Sequence, residues 1–165
     1  MSVTDNSPYR RTRIAILEGT KSLLAERGLR ATTVIDIADA SEVSRATLYN
    51  HFRDKESVLR ALLESEVERL CQVLTNESLA QLSVEVSSDP ALAMLRNTDQ
   101  QVLTDLFRSE TDPLWRQIGD SLYSALGTQL RAQLAVRWLI GQVFAPLTPH
   151  QSHEQALAIG EIASS

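Results

Sequence analysis

The chain is poor in the residues on which most protein chemistry depends. One cysteine among 165 residues cannot form an internal disulfide, which fits a reducing compartment. There are three histidines, and two of them, His150 and His153, stand three apart with no third ligand of metal type beside them, so they read as loop residues and no metal site is expected. Glycine-rich phosphate loops and any nucleophile paired with a base are missing, which excludes the common enzyme classes; neither catalysis nor a cofactor is expected. Apolar runs never reach the ~20 residues needed to cross a bilayer, so no membrane association is expected. The opening MSVTDNSPYRRTR is polar and basic with no apolar stretch behind it, unlike a secretory signal, and the expected location is the cytoplasm. Repeats and low-complexity tracts are also missing.

Hydrophobic residues make up 43% of the chain, enough for a buried core. Net charge is −5, which on its face argues against a nucleic-acid partner. The distribution reverses that argument. Residues 10–60 carry ten Lys/Arg against seven Asp/Glu, and residues 76–165 carry five against ten. A basic head on an acidic body can still turn a positive face to phosphates.

Helical periodicity runs almost throughout. An arm to about residue 11 precedes a first helix, over 12–27, with Ile16, Leu17, Thr20, Leu23 and Leu24 on one face; Gly28 stops it. Thr33 caps a second helix ending near Ala40, with Asp36 at its third position, and Ser44 caps a third that buries Leu48 and Phe52. Asp54 caps a long helix striped with Leu59, Leu62, Leu63, Val67, Leu70 and Leu74. Further helices follow Asp89-Pro90, Thr98 and Asp112-Pro113, the last ending at Gly127. The alternation in Leu82–Val86 has no partner strand, so a loop or frayed helix is expected there. The stretch 128–145 is apolar nearly all round, and Ser152 with Gln155 patterns as a capping box for a short last helix.

The segment Thr32–Phe52 decides the functional reading. Its third helix crowds Ser44, Arg45, Thr47, Tyr49, Asn50 and His51 into two turns. A core helix has no use for so many hydrogen-bonding groups, whereas a helix in a DNA major groove does.

The run Ser44-Arg45-Ala46-Thr47-Leu48-Tyr49-Asn50-His51-Phe52, followed by Asp54-Lys55-Glu56, resembles the tetracycline-repressor (TetR) family of bacterial transcription regulators. Ala25-Glu26-Arg27-Gly28 and the stretch from Thr32-Thr33 to Ile37-Ala38 match the family pattern at the right intervals, so the resemblance covers about 16–62. Three departures stand out. Glu42 replaces a usual glycine in the turn, Ser41 a usual alanine, and Gly19-Thr20 a usual alanine pair. If the turn needs a left-handed backbone, Glu42 costs about 1 kcal/mol there.

The resemblance implies an all-α protein: a three-helix helix-turn-helix head in 1–53, joined by a long helix to a dimerisation and ligand-binding body in 54–165. It implies a homodimer on a DNA operator, acting as a repressor and released by a small-molecule effector. Arg45 and Asn50 suit base edges, guanine and adenine respectively, with phosphate contact the alternative for Arg45. Thr47, Tyr49 and His51 resemble backbone-contacting residues, though Tyr49 and His51 can also pack between helices. Lys55, at the start of the long helix, and Thr33 are candidate phosphate contacts. Met94, Phe107, Trp115 and Tyr123 are candidate pocket residues. Leu130, Leu134, Trp138 and Gly141 are candidates for the dimer interface. The rival reading is a helical adaptor that uses the head to bind protein, for which Glu42 and the acidic pI would speak.

Overall fold

The computed structural model describes residues 7–108 and 113–161, and for 106–108 the backbone alone. Within these residues the chain is ten helices and no strand. The head comprises α1 (Pro8–Arg27), α2 (Val34–Ala40) and α3 (Arg45–His51). The long α4 (Lys55–Asn76) leads to α5 (Leu79–Ser88), α6 (Pro90–Thr98), α7 (Gln100–Arg108), α8 (Pro113–Leu126), α9 (Gln129–Phe144) and α10 (Pro149–Glu161).

The local signals explain most of these boundaries. Thr33 and Asp36 form a reciprocal capping box at α2, and Asp54 with Ser57 forms another at α4. Gly28 and Gly127 take φ +78° and +76° just past α1 and α8, where a side chain would be strained. Four boundaries differ from expectation. α1 starts at Pro8 because Ser7 accepts the Arg10 N–H at 3.3 Å, so residues 8–11 are helix rather than arm; residues 1–6 lie outside the described residues. Leu82–Val86 belongs to a regular helix, α5, whose 3.6-residue period places Leu82, Ser83 and Val86 inside. The break after α6 falls at Asp99, with Thr98 still helical. The last helix is boxed by Thr148 and Gln151, four residues before the expected cap, while Ser152 is buried beneath it. The expected cap Asp112 and the terminal Ile162 lie outside the described residues.

Two cores form. The head core unites Ile16, Leu23 and Leu24 of α1, Ile37 of α2, Leu48 and Phe52 at α3, and Val58, Ala61 and Leu62 of α4, with Ala91 from α6. The body core is built from Leu74, Leu82, Val86, Leu103, Leu122, Ala135, Leu139, Val143 and Ile159. A division after residue 53 therefore separates the sequence, whereas the head as a packed unit extends along α4 to Leu62 and rests on α6. Burying these first two turns or so of α4 in the head is what ties the head's orientation to the body.

A second bond crosses the same junction. The Asp99 carboxylate is buried, and its Oδ2 accepts the Leu29 N–H at 2.9 Å and the Thr98 hydroxyl at 2.7 Å. Its Oδ1 has no hydrogen bond but faces the Arg30 guanidinium at 3.4 Å. Burial works against the charge, yet the Thr98 hydroxyl and the N–H groups of Leu29 and Arg30 outweigh it and hold the carboxyl below its ordinary range. Gly28 makes this approach feasible, since a Cβ there would lie 2.7 Å from Asp99 Oδ2.

Candidate nucleic-acid interface

The turn between α2 and α3 sets the angle of α3, and hydrogen bonds define it closely. The Val43 N–H reaches the Ala38 carbonyl at 3.0 Å and the Glu42 N–H reaches Asp39 at 3.1 Å. That paired closure is a Schellman motif, which requires a left-handed residue at Glu42. Glu42 indeed has φ +53°, the only positive φ outside glycine among the described residues. Ser41 sits beneath the turn, its hydroxyl donating to the Ile37 carbonyl at 2.6 Å. A Cβ on Gly19 of α1 would stand 2.5 Å from that hydroxyl oxygen. The two departures at Gly19 and Ser41 are thus one packing exchange: a hydroxyl on α2's end fills the place a methyl on α1 would take.

α3 begins at Ser44, whose Oγ accepts the Thr47 N–H at 3.0 Å and lies 2.8 Å from the Thr47 hydroxyl. Leu48 and Phe52 pin its inner side into the head core. Arg45, Ala46, Tyr49 and Asn50 are all exposed, and their spacing places them on one outward face. Tyr49 is 54% exposed, so it does not pack between helices.

His51 is placed differently. Its ring stacks on Tyr9 of α1 with centroids 4.1 Å apart, while Arg13 lies over the neighbouring Phe52 ring at 4.5 Å. Burial first, and then the Arg13 charge, hold the imidazole below its usual pKa, so it is neutral near pH 7. The Nδ1 atom is buried without a hydrogen bond, which favours the tautomer with its proton on Nε2. A neutral ring of that form offers one outward N–H. Nothing in the linear pattern pointed to Tyr9, which was assigned to the arm.

Lys55 is half-buried at the first position of α4, and its ammonium donates to the carbonyls of Leu29 (2.7 Å) and Thr32 (2.5 Å). It braces the loop between α1 and α2 and has one N–H left to offer. Thr33 is exposed, with its hydroxyl shared between capping the Asp36 N–H (3.2 Å) and donating to the Asp36 carboxylate (2.6 Å). These bonds hold Asp36 below its ordinary pKa.

The body contains a cavity of about 450 Å³ walled by α1, α4 and α5–α9. Of the four candidate pocket residues, Trp115 lines it. Met94 and Tyr123 do not: Met94 turns away from the α6 side that carries Leu92 and Leu95, and Tyr123 is 50% exposed on the outer side of α8. The Phe107 side chain lies outside the described residues. The sequence reading missed the cavity's main wall, because Leu59, Leu63 and Leu70 of α4 are indistinguishable in pattern from core leucines.

On α9, Leu130, Leu134, Arg137, Gly141 and Phe144 fall on one exposed stripe. Leu130 and Leu134 are 49% and 37% exposed, and Gly141 has open space where a side chain would be. Trp138 lies at the edge of this stripe and donates its indole N–H to Gln155 of α10 at 2.7 Å.

Residues 16–62 match the family profile described as bacterial regulatory proteins, tetR family. The HTH-type transcriptional repressor AcnR of Corynebacterium glutamicum is 27% identical over 135 residues, covering 82% of this chain and 70% of that protein. The HTH-type transcriptional repressor KstR2 of Rhodococcus jostii is 44% identical over 66 residues, 40% of this chain and 32% of its own. The crystal structure of the TetR-family repressor AlkX from Dietzia sp. superposes with a TM-score of 0.66 at 22% identity, over 94% of both chains. These relatives are regulators and not enzymes, and they give the adaptor reading no support.

Proposed function

We infer that this chain, which belongs to the TetR family of bacterial regulatory proteins, represses transcription as a homodimer on a two-fold operator and is released when a small molecule enters its body. The observation that carries the reading is the face of α3. Arg45, Tyr49 and Asn50 are exposed together on a helix whose other side is anchored in the head core and whose entry angle is set by a hydrogen-bonded turn. A helix so presented enters a major groove.

In this reading Arg45 and Asn50 meet base edges, and Tyr49, Thr47, Ser44 and the Nε2–H of His51 meet phosphates. The free N–H of Lys55 extends the phosphate track on the other side of the turn, and the Thr33 hydroxyl joins it by turning its one proton from the Asp36 carboxylate to a phosphate oxygen. The dimer forms through the α9 stripe, where Gly141 permits close approach and Leu130 and Leu134 supply apolar area. Two heads then address major grooves about 34–36 Å apart, or a multiple of it. Residues 1–53 act as the reading head and 54–165 as the body that sets its position. A protein that reads chromosomal DNA in this way works in the cytoplasm.

Selection of genomic fragments by the purified protein tests the reading, with affinity then measured across salt concentrations. An enriched palindrome bound far more tightly than random DNA, with affinity falling steeply as salt rises, is the expected result. Tyr49→Ala weakens binding to all sequences, whereas Arg45→Ala also relaxes base preference by about 1–3 kcal/mol at one position. Equal losses on specific and random DNA for Arg45→Ala would remove its base-reading role. A folded protein that enriches no sequence overturns the proposal.

A further inference from the structure

We propose that the body cavity takes an uncharged, hydrocarbon-like molecule, and that the head itself forms part of its binding wall. The inference rests on the effector reading above and specifies the chemistry of that effector. The walls are aliphatic and aromatic, with Leu63 and Leu70 of α4, Leu95 of α6, Val102 of α7, Trp115 of α8 and Ile140 of α9 facing one space of about 450 Å³. That volume suits a small organic molecule.

The described lining holds six charged residues, all of them paired, Arg60 with Glu64 at 2.9 Å. Lys21 pairs with Glu66 (2.7 Å) and Asp89 (3.3 Å), and Arg69 pairs with Glu66 (3.1 Å) and Glu85 (3.0 Å). A carboxylate or phosphate on the ligand would have to break this closed set of pairs to find a partner. Ser121 is the one hydroxyl in the described lining. A ligand rich in hydroxyls or amides would therefore give up water without replacing its hydrogen bonds, and a charged one would lose far more. The site selects by what it fails to satisfy, which is a strong form of discrimination.

Leu24 of α1 and Leu29 of the following loop also line the cavity. The Leu29 N–H is the group held by Asp99, whose own flanks, Leu95 and Val102, lie on the same cavity wall. An occupant thus touches the loop that leads into α2 without any intervening element.

The test uses the full-length protein and N-phenyl-1-naphthylamine, an uncharged fluorophore that brightens in apolar surroundings. Saturable binding is expected, with naphthalene displacing the probe at least about tenfold more effectively than 2-naphthoate. Filling the space by Leu70→Trp is expected to weaken the probe at least about tenfold; Ile118→Trp, on the opposite wall, serves if the first variant does not fold. Displacement by 2-naphthoate as effective as by naphthalene overturns the ligand class. Undiminished probe binding in a folded filled variant overturns the site. The same titration on the protein–DNA complex separates this inference from its premise: probe binding that leaves DNA affinity unchanged sinks the effector role and leaves the pocket chemistry standing.

Discussion

Replacing Glu42 by glycine should stabilise the protein, although it removes a side chain and adds none. Glu42 stands at φ +53° in a Schellman closure whose two hydrogen bonds, Val43 to Ala38 and Glu42 to Asp39, fix the entry to α3. An L-residue in that region costs about 1–2 kcal/mol relative to glycine. Glycine gives back about 0.4–1 kcal/mol through the greater freedom of its unfolded chain. The net gain expected for Glu42→Gly is therefore about 0.5–1 kcal/mol, or roughly 1–4 °C in Tm for a chain of this size. Glu42→Gln keeps the backbone strain and removes the charge, so its Tm should stay near the parent's. Thermal unfolding of the three proteins at one concentration and pH decides the matter. A Tm for Glu42→Gly at or below that of the parent refutes the strain argument, and an equal rise in Glu42→Gln assigns the gain to charge.

Three further outcomes follow from the head and its junction. Gly19→Ala should cost about 1–3 kcal/mol because the new methyl meets the Ser41 hydroxyl, whereas adding Ser41→Ala should restore most of it; urea unfolding of the four proteins should show a coupling above about 1 kcal/mol, and additive effects would break the exchange argument. Asp99→Ala leaves the Leu29 N–H unpaired at a cost of about 1–3 kcal/mol. Amide exchange at Leu29 should accelerate markedly in that variant, and unchanged protection would show that Asp99 does not hold the loop. The depressed pKa of His51 gives stability that is fully present above about pH 6.5 and declines as pH falls below it, since the unfolded chain then binds the proton more readily. Asp36, Asp54 and Asp99, also depressed, give stability that is lost only lower, as pH drops below about 4. Urea midpoints at pH 7.5 and 5.5 should differ more in the parent than in His51→Gln; equal differences would place the imidazole outside the titration.

Much of the head was legible because its signals are local. Capping residues, the stop at Gly28 and the core positions Leu48 and Phe52 act within one or two turns, and the structure places them as read. The left-handed turn at Glu42 was also readable, through its departure from the family pattern. The misreadings share a cause. Ser7 and Thr148 cap helices that periodicity began elsewhere, because Pro8 and Pro149 start a helix without contributing to an apolar stripe. Tyr9 escaped notice since its partner, His51, is distant along the chain.

The body shows the opposite balance. An apolar face at helical spacing says that a residue leaves water, and says nothing about whether it meets another side chain or an empty space. Val58 and Leu59 are neighbours on α4, yet Val58 is fully buried in the head core and Leu59 is half-buried on the cavity wall. By itself the sequence determined the helical class, the head's three-helix order and the residues offered on α3, because each depends on hydrogen bonds and periodicity between near neighbours. The tertiary structure alone decided where the cavity lies, that α6 rests on the head, and that Asp99 reaches back to Leu29. Those features depend on how far apart packed helices come to stand, a distance set by all of their side chains jointly and written in no single segment.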